Sequence, residues 1–325
     1  MNERLRSSSD LVSGATEVST DSLAPLPTSP VRRVAFLGTP EIAAGALSSL
    51  IENHIEVALV VTRPDKRRGR GSVMTGSPVK EVAQKHGVPV VHDVESLLAE
   101  HKSNPIDLGV VVAYGALIKP HVLAEIPMVN LHVSLLPRWR GAAPIERAIL
   151  AGDETTGVCL MQLEEGLDTG AVISCASMDI GSSTTVEDIR SELLAEGNRL
   201  LLQALRTGDF RGTPQHGAAT YAAKIDPSER QLNWTETADM VSRRTRIGGA
   251  WTTFRGRRFK VHQVEVVAID GDEGCVFIDD DRILVGCGQG SVRLVEIQPE
   301  GKPRVSAEDW ARGARLQIGE VFEHV

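Results

Sequence analysis

The residues VNLHVSLLPRWRGAAP, at positions 129–144, decide how this chain folds. Apolar and polar residues alternate through the first six, the period of a β-strand. Asn130 and His132 therefore project to one face while Leu131 and Val133 pack on the other. Pro137 ends the strand, and Pro144 opens a short helix over 144–151. This places the polar pair near the carboxyl end of a buried strand, where open α/β sheets bind their ligands.

The same plan extends outward in both directions. Residues 34–37 read as a short buried strand ending at Gly38, with Thr39 as a helix cap and Pro40 at the first helical position. The helix that follows puts Ile42, Ala46, Leu47 and Leu50 on one face. Strands are expected at 55–61 and 107–113, with a basic loop and a helix opened by Ser77-Pro78 between them. Residues 156–163 and 171–177 read as a strand pair around the turn at 165–170, and 185–205 as a long closing helix. The fold class is α/β: a Rossmann-like, mostly parallel sheet over 31–207. Residues 208–226 have the Gly and Pro content of a linker, and the short strands within 227–325 predict a small barrel or sandwich.

Composition sets outer limits. A chain of 325 residues can hold two domains with separate cores. Its net charge of -8 means that any nucleic-acid contact must rest on a local basic surface. Cys159, Cys175, Cys275 and Cys287 form no C-x-x-C pair, so no metal site is expected and the thiols read as reduced, in a cytoplasmic protein. No apolar run approaches the ~20 residues of a membrane span. Residues 1–30, rich in Ser and Thr and without an apolar core, read as a disordered tail rather than a secretory signal.

Taken singly, the polar residues have bland explanations. Buried Asn and His can satisfy backbone groups, and Asp168 before Thr169-Gly170 is ordinary turn chemistry. Together, however, Asn130-x-His132-x-Ser134-Leu135-Leu136-Pro137 and the downstream run Gly166 to Gly170 resemble the signature of the folate-dependent formyltransferases. Arg138-Trp139-Arg140-Gly141, Gly38-Thr39-Pro40, Arg63-Pro64-Asp65 and Gly69-Arg70-Gly71 extend the likeness over roughly residues 33–224. It implies transfer of the formyl group of 10-formyltetrahydrofolate to the α-amine of initiator methionyl-tRNA, catalysed by the Rossmann-like domain, with an OB-like tRNA-binding barrel following it. Asn130 and His132 are then expected to stabilise the developing oxyanion, and Asp168 to take a proton, directly or through water, or to hold His132 in its working state. Ser134, Leu135, Leu136 and Pro137 are expected to line the folate site.

Two basic clusters bear on the acceptor. The first, in the loop at 62–76, includes Arg67, Arg68 and Arg70; the second contains Arg243, Arg244, Arg257 and Arg258, with no acidic residue from 241 to 263. Both are expected to hold tRNA phosphates. Trp251 and Phe254 lie within the second cluster, as stacking platforms or as core. The segment 247–251 departs from the family's usual proline- and tryptophan-containing turn. A monomer is expected. The rival readings are a formyltransferase of this fold acting on an amino sugar nucleotide, and an RNA-binding protein without catalysis.

Overall fold

A computed structural model describes residues 23–68 and 73–323. Its first domain opens with β1 (Arg33–Gly38), α1 (Glu41–Glu52) and β2 (Glu56–Val61), then a hairpin of β3 (Lys66–Arg68) and β4 (Val73–Thr75). There follow α2 (Pro78–Lys85), β5 (Val90–Val91), α3 (Val94–Ser103), β6 (Leu108–Val112), α4 (Pro120–Leu123) and β7 (Met128–His132). β8 (Arg140–Gly141) and α5 (Pro144–Ala151) lead to β9 (Thr155–Gln162), β10 (Val172–Asp179) and α6 (Val186–Thr207).

The main sheet runs β10-β9-β7-β6-β1-β2-β5. Its strands are parallel from β7 to β5, and the hairpin of β9 and β10 adds an antiparallel margin beside β7. Both faces are covered, which is why β6 is apolar throughout and β1 is apolar from Val34 onward. Val34, Phe36, Val110 and Leu131 enter one core, whereas Ala35, Leu37, Val111 and Met128 enter the other. Chain order reverses between β1 and β6, so their carboxyl ends flank a crevice. Close packing there needs Gly38: a Cβ at that position would lie 2.9 Å from the Val112 carbonyl and 2.7 Å from the Ala43 Cβ.

The second domain comprises α7 (Ala238–Arg246), β12 (Trp251–Phe254), β13 (Arg257–Val267), β14 (Val276–Asp279), β15 (Arg282–Gly286), β16 (Ser291–Pro299), β17 (Val305–Ser306), α8 (Ala307–Ala314) and β18 (Phe322–Glu323), after a short β11 (Tyr221–Ala222). Its antiparallel sheet runs β14-β15-β16-β13-β12-β18. The end strands meet through backbone bonds from Val276 to the Glu320 carbonyl (2.7 Å) and from Phe322 to the Gly274 carbonyl (2.8 Å), which close the sheet on itself. Trp234, Phe254, Phe259, Trp310 and Phe322 fill the interior.

Several expectations need correction. The last residues of the expected tail are packed: Ala24 is buried and donates to the Leu123 carbonyl, and Leu26 rests on the first core. The remainder of that tail, 1–22, lies outside the described residues. Thr39 does not cap α1; its hydroxyl donates to the Tyr114 carbonyl at 3.0 Å and ties the end of β1 to the chain leaving β6. Cys159 and Cys175, expected as free thiols, are joined in a disulfide, because the β9–β10 register sets them directly opposite. Cys275 and Cys287 are free, and burial pushes the Cys287 thiol up to about 12.

Candidate active site

At the carboxyl end of β7, Asn130 is 8% exposed and His132 6% exposed, on the sheet face that carries Met128. Their neighbours explain how polar side chains survive there. His132 Nε2 lies 2.9 Å from the Trp139 carbonyl. A carbonyl only accepts, so Nε2 carries the proton and Nδ1 is turned the other way. What Nδ1 faces is the Asp168 carboxylate, with Oδ2 at 3.6 Å. Among the described residues the Asn130 side-chain amide has no hydrogen-bond partner. The residue is nearly buried, but its amide is not cut off from solvent and stays available to a ligand.

Asp168 arrives from the turn between β9 and β10. It has φ 51°, a left-handed conformation that Asp tolerates better than most residues. Oδ2 accepts from the Gly141 N–H at 2.8 Å, while Oδ1 has no donor among the described residues. Gly141 itself has φ 112° and a site for Cβ only 3.0 Å from the Ala222 carbonyl, so no other residue fits comfortably.

The chain from 134 to 141 is a braced turn. Ser134 is fully buried and its hydroxyl donates to the Arg138 carbonyl at 2.6 Å. Asp153 takes both the Arg138 guanidinium (2.7 and 2.5 Å) and the Trp139 indole N–H (2.8 Å), with Arg138 stacked over the Trp139 ring. Burial raises the Asp153 carboxyl, but the hydrogen bonds from Arg138 and Trp139 outweigh it and hold the group below its ordinary value. Leu135, Leu136 and Pro137, which follow the end of β7, are half-buried.

The connecting segment contributes more than linker composition suggested. β11 pairs in parallel with β8, and the Thr220 hydroxyl accepts from the Trp139 N–H at 2.9 Å. Gln215 joins Arg140 to the backbone of the Asp168 turn. Neither residue stood out in the sequence. The one available signal was the apolar pair Tyr221-Ala222 at the end of a polar stretch, which is too short to read as a strand.

The basic residues divide. Arg67 is exposed and its side chain unpaired among the described residues, in the middle of β3 opposite Met74, in a hairpin whose base is fixed by Lys80 on Asp65 at 2.7 Å. The Arg68 side chain and all of Arg70 lie outside the described residues. Arg243 and Arg244, expected to hold tRNA phosphates, each have an intramolecular partner: Arg243 pairs with Asp239 at 2.5 Å and lies over Gly152, and Arg244 pairs with Glu236 at 2.7 Å and bonds the Gln231 carbonyl. Arg257 is exposed without a partner among the described residues, and Arg258 is exposed and stacks on Trp251 with its guanidinium 4.2 Å from the ring centroid. Phe254 is core.

Comparison with known proteins identifies the family of both domains. The family model described as "Formyl transferase" matches residues 32–205, and "Formyl transferase, C-terminal domain" matches 224–315. A methionyl-tRNA formyltransferase of Magnetococcus marinus is 40% identical over 305 residues, covering 89% of this chain and 97% of its own. That of Corynebacterium diphtheriae is 41% identical over 309 residues, covering 89% and 99%. Among solved structures, HypX from Aquifex aeolicus in complex with tetrahydrofolic acid superposes with a TM-score of 0.61 at 17% identity, over 90% of this chain and 50% of its own. The N-formyltransferase from Helicobacter canadensis, solved with folinic acid and dTDP-3-aminofucose, gives 0.62 at 16% identity, over 82% and 99%.

Proposed function

Because this chain belongs to the formyl transferase family, with both of the family's domains matched in order, we propose that Asn130, His132 and Asp168 carry its chemistry. The protein is an enzyme of translation initiation that transfers the formyl group of 10-formyltetrahydrofolate to the α-amine of methionyl-tRNA. The observation that carries the assignment of roles is the unpartnered, nearly buried Asn130 amide on the same strand face as the His132–Asp168 pair.

Attack by the amine forms a C–N bond, moves negative charge onto the formyl oxygen and leaves the attacking nitrogen with a proton to lose. The Asn130 amide donates to that oxygen. With Nε2–H held by Trp139, His132 offers a second donor only when Nδ1 is also protonated, and the adjacent Asp168 Oδ2 supplies the countercharge for that form. Asp168 Oδ1, without a donor among the described residues, accepts the proton from the amine, and the folate nitrogen regains one as its bond to the formyl carbon breaks. Leu135, Leu136 and Pro137 fit an apolar wall for the folate ring system, while Ser134 acts by bracing the turn. Arg67, Arg68 and Arg70 of the hairpin loop and Arg257 and Arg258 of the second domain hold tRNA phosphates. The acceptor is the initiator species, and the enzyme works as a cytoplasmic monomer. No helix of the described residues is long and apolar enough to cross a membrane.

The test is direct. Purified protein and 10-formyltetrahydrofolate are mixed with methionyl initiator tRNA, uncharged tRNA and a nucleotide-linked amino sugar. Formylation is expected on the charged tRNA alone. Equal formylation of the amino sugar overturns the acceptor, and no formylation of any overturns the enzyme.

A further inference from the structure

Gln215 lies in the segment between the domains, yet its whole hydrogen-bonding capacity is divided between the Asp168 turn and Arg140 of β8. Nε2 donates to the Asp168 carbonyl at 2.8 Å and to the Gly170 carbonyl at 2.9 Å. Oε1 accepts from Arg140 Nη2 at 2.7 Å and Nε at 3.2 Å. A primary amide has two N–H donors and one oxygen with two lone pairs, so nothing is left over.

The elements it joins are the ones that fix Asp168. One is the turn itself, where the left-handed backbone at Asp168 turns its carbonyl away from the β9–β10 ladder and towards this amide. The other is β8, whose Gly141 N–H holds Asp168 Oδ2. The carboxylate is thus located from two sides, and a single side chain ties the two sides together. We propose that Gln215 is a positioning residue for formyl transfer, setting the Asp168 carboxylate against His132. The inference rests on the role given above to Asp168.

The chemistry of the amide makes the claim specific. Gln215→Ala removes all four bonds. Gln215→Glu keeps an acceptor for Arg140 but sets a carboxylate against two carbonyl oxygens, so the tie to the turn is lost while the tie to β8 survives. Both variants are expected to lower kcat about 30-fold, since displacements near 1 Å at a reacting group cost up to about 100-fold. KM for folate and for methionyl-tRNA is expected to stay within about twofold, and Tm of the Glu variant within about 3 °C of wild type. In an Asp168→Asn chain, followed by single turnover with excess enzyme, Gln215→Ala is expected to cost less than about threefold more, because the two residues act as one unit.

A Gln215→Glu chain with wild-type kcat overturns the proposal, as does a full further loss in the Asp168→Asn background. If Gln215→Ala does not fold, the Glu variant carries both measurements. Failure here is separable from failure of the underlying reading. An inactive Asp168→Asn beside an unaffected Gln215→Glu removes Gln215 alone, whereas wild-type rates in Asp168→Asn remove the role of Asp168 and this inference with it.

Discussion

The end of β7 and the basic run from α7 to β13 look similar as sequence, each a short stretch dense in unusual polar residues, but the fold treats them in opposite ways. At β7 the polar groups are gathered around a gap: Trp139 takes one nitrogen of His132, Asp168 faces the other, and the Asn130 amide is left open. In the second domain most of the cations are consumed. Arg243 and Arg244 pair with Asp239 and Glu236, Arg255 pairs with Glu320 at 2.6 Å, and Arg246 bonds the carbonyls of Thr184 and Ser182 in the first domain. Arg257, Arg258 and Lys260 remain exposed without an acidic partner among the described residues. A run of like charges therefore says little about a surface until its partners are located, whereas an unpartnered amide beside a His–Asp pair at a strand's carboxyl end is arranged as a ligand site requires.

The largest effects should come from the first region. His132→Ala and Asp168→Asn are expected to slow single-turnover formyl transfer by about 1,000-fold or more, and Asn130→Ala by about 100- to 1,000-fold, in line with the loss of an acid–base group or an oxyanion donor. Binding of methionyl-tRNA, followed by filter retention, should hold within about twofold. Near-wild-type transfer in Asn130→Ala would break the contrast, since the open amide would then be no more than a tolerated gap.

A smaller effect separates the free from the committed arginines. Replacing Arg257, Arg258 and Lys260 with Ala should weaken tRNA binding and lower the salt slope by about one for each phosphate that is no longer neutralised. Replacing Arg243 and Arg244 should leave that slope alone and lower stability instead, because Asp239 and Glu236 lose their partners. A salt slope that falls equally in both variants would mean that the ion pairs open on binding and that the division between spent and free cations does not hold.

How much of this was legible follows from how far each partner lies along the chain. Period-2 alternation and the prolines located β7 and its polar pair, and the strand pair around Asp168 was readable as well. That Asp168 reaches His132 was implied only by resemblance, since the contact depends on sheet order, with β9 inserted beside β7. Gln215 and Thr220 were opaque, because a polar residue in a Gly- and Pro-containing stretch is equally suited to solvent. The Arg255–Glu320 pair spans 65 positions and depends on closure of the second sheet, so composition could not reveal it. The Thr39 assignment failed by register: α1 begins at Glu41 with Pro40 in the capping position, one residue too late for Thr39, whose hydroxyl donates to the distant Tyr114 carbonyl instead.

The smallest expected effect is a difference in acid sensitivity between the two regions. In the second domain burial lowers the His262 pKa below its ordinary 6.5; the hydrogen bond with Gln298 opposes this, and nearby Arg304 and Lys260 reinforce it against Glu296. A folded-state pKa below the unfolded one means that the unfolded chain binds the proton first. The contribution of His262 is then complete above 6.5 and is lost as pH falls through the folded value. Asp153 beside the catalytic turn is also lowered, but from 3.8, so its contribution persists until the solution is far more acidic. His262→Gln should therefore reduce the fall in Tm between about pH 7 and about pH 5 by about 2 °C, while Asp153→Asn should change the pH profile only below about pH 4. Calorimetry across this range distinguishes the two. A His262→Gln chain that loses as much Tm as wild type between those pH values would show that burial of this imidazole does not govern the acid response of the second domain.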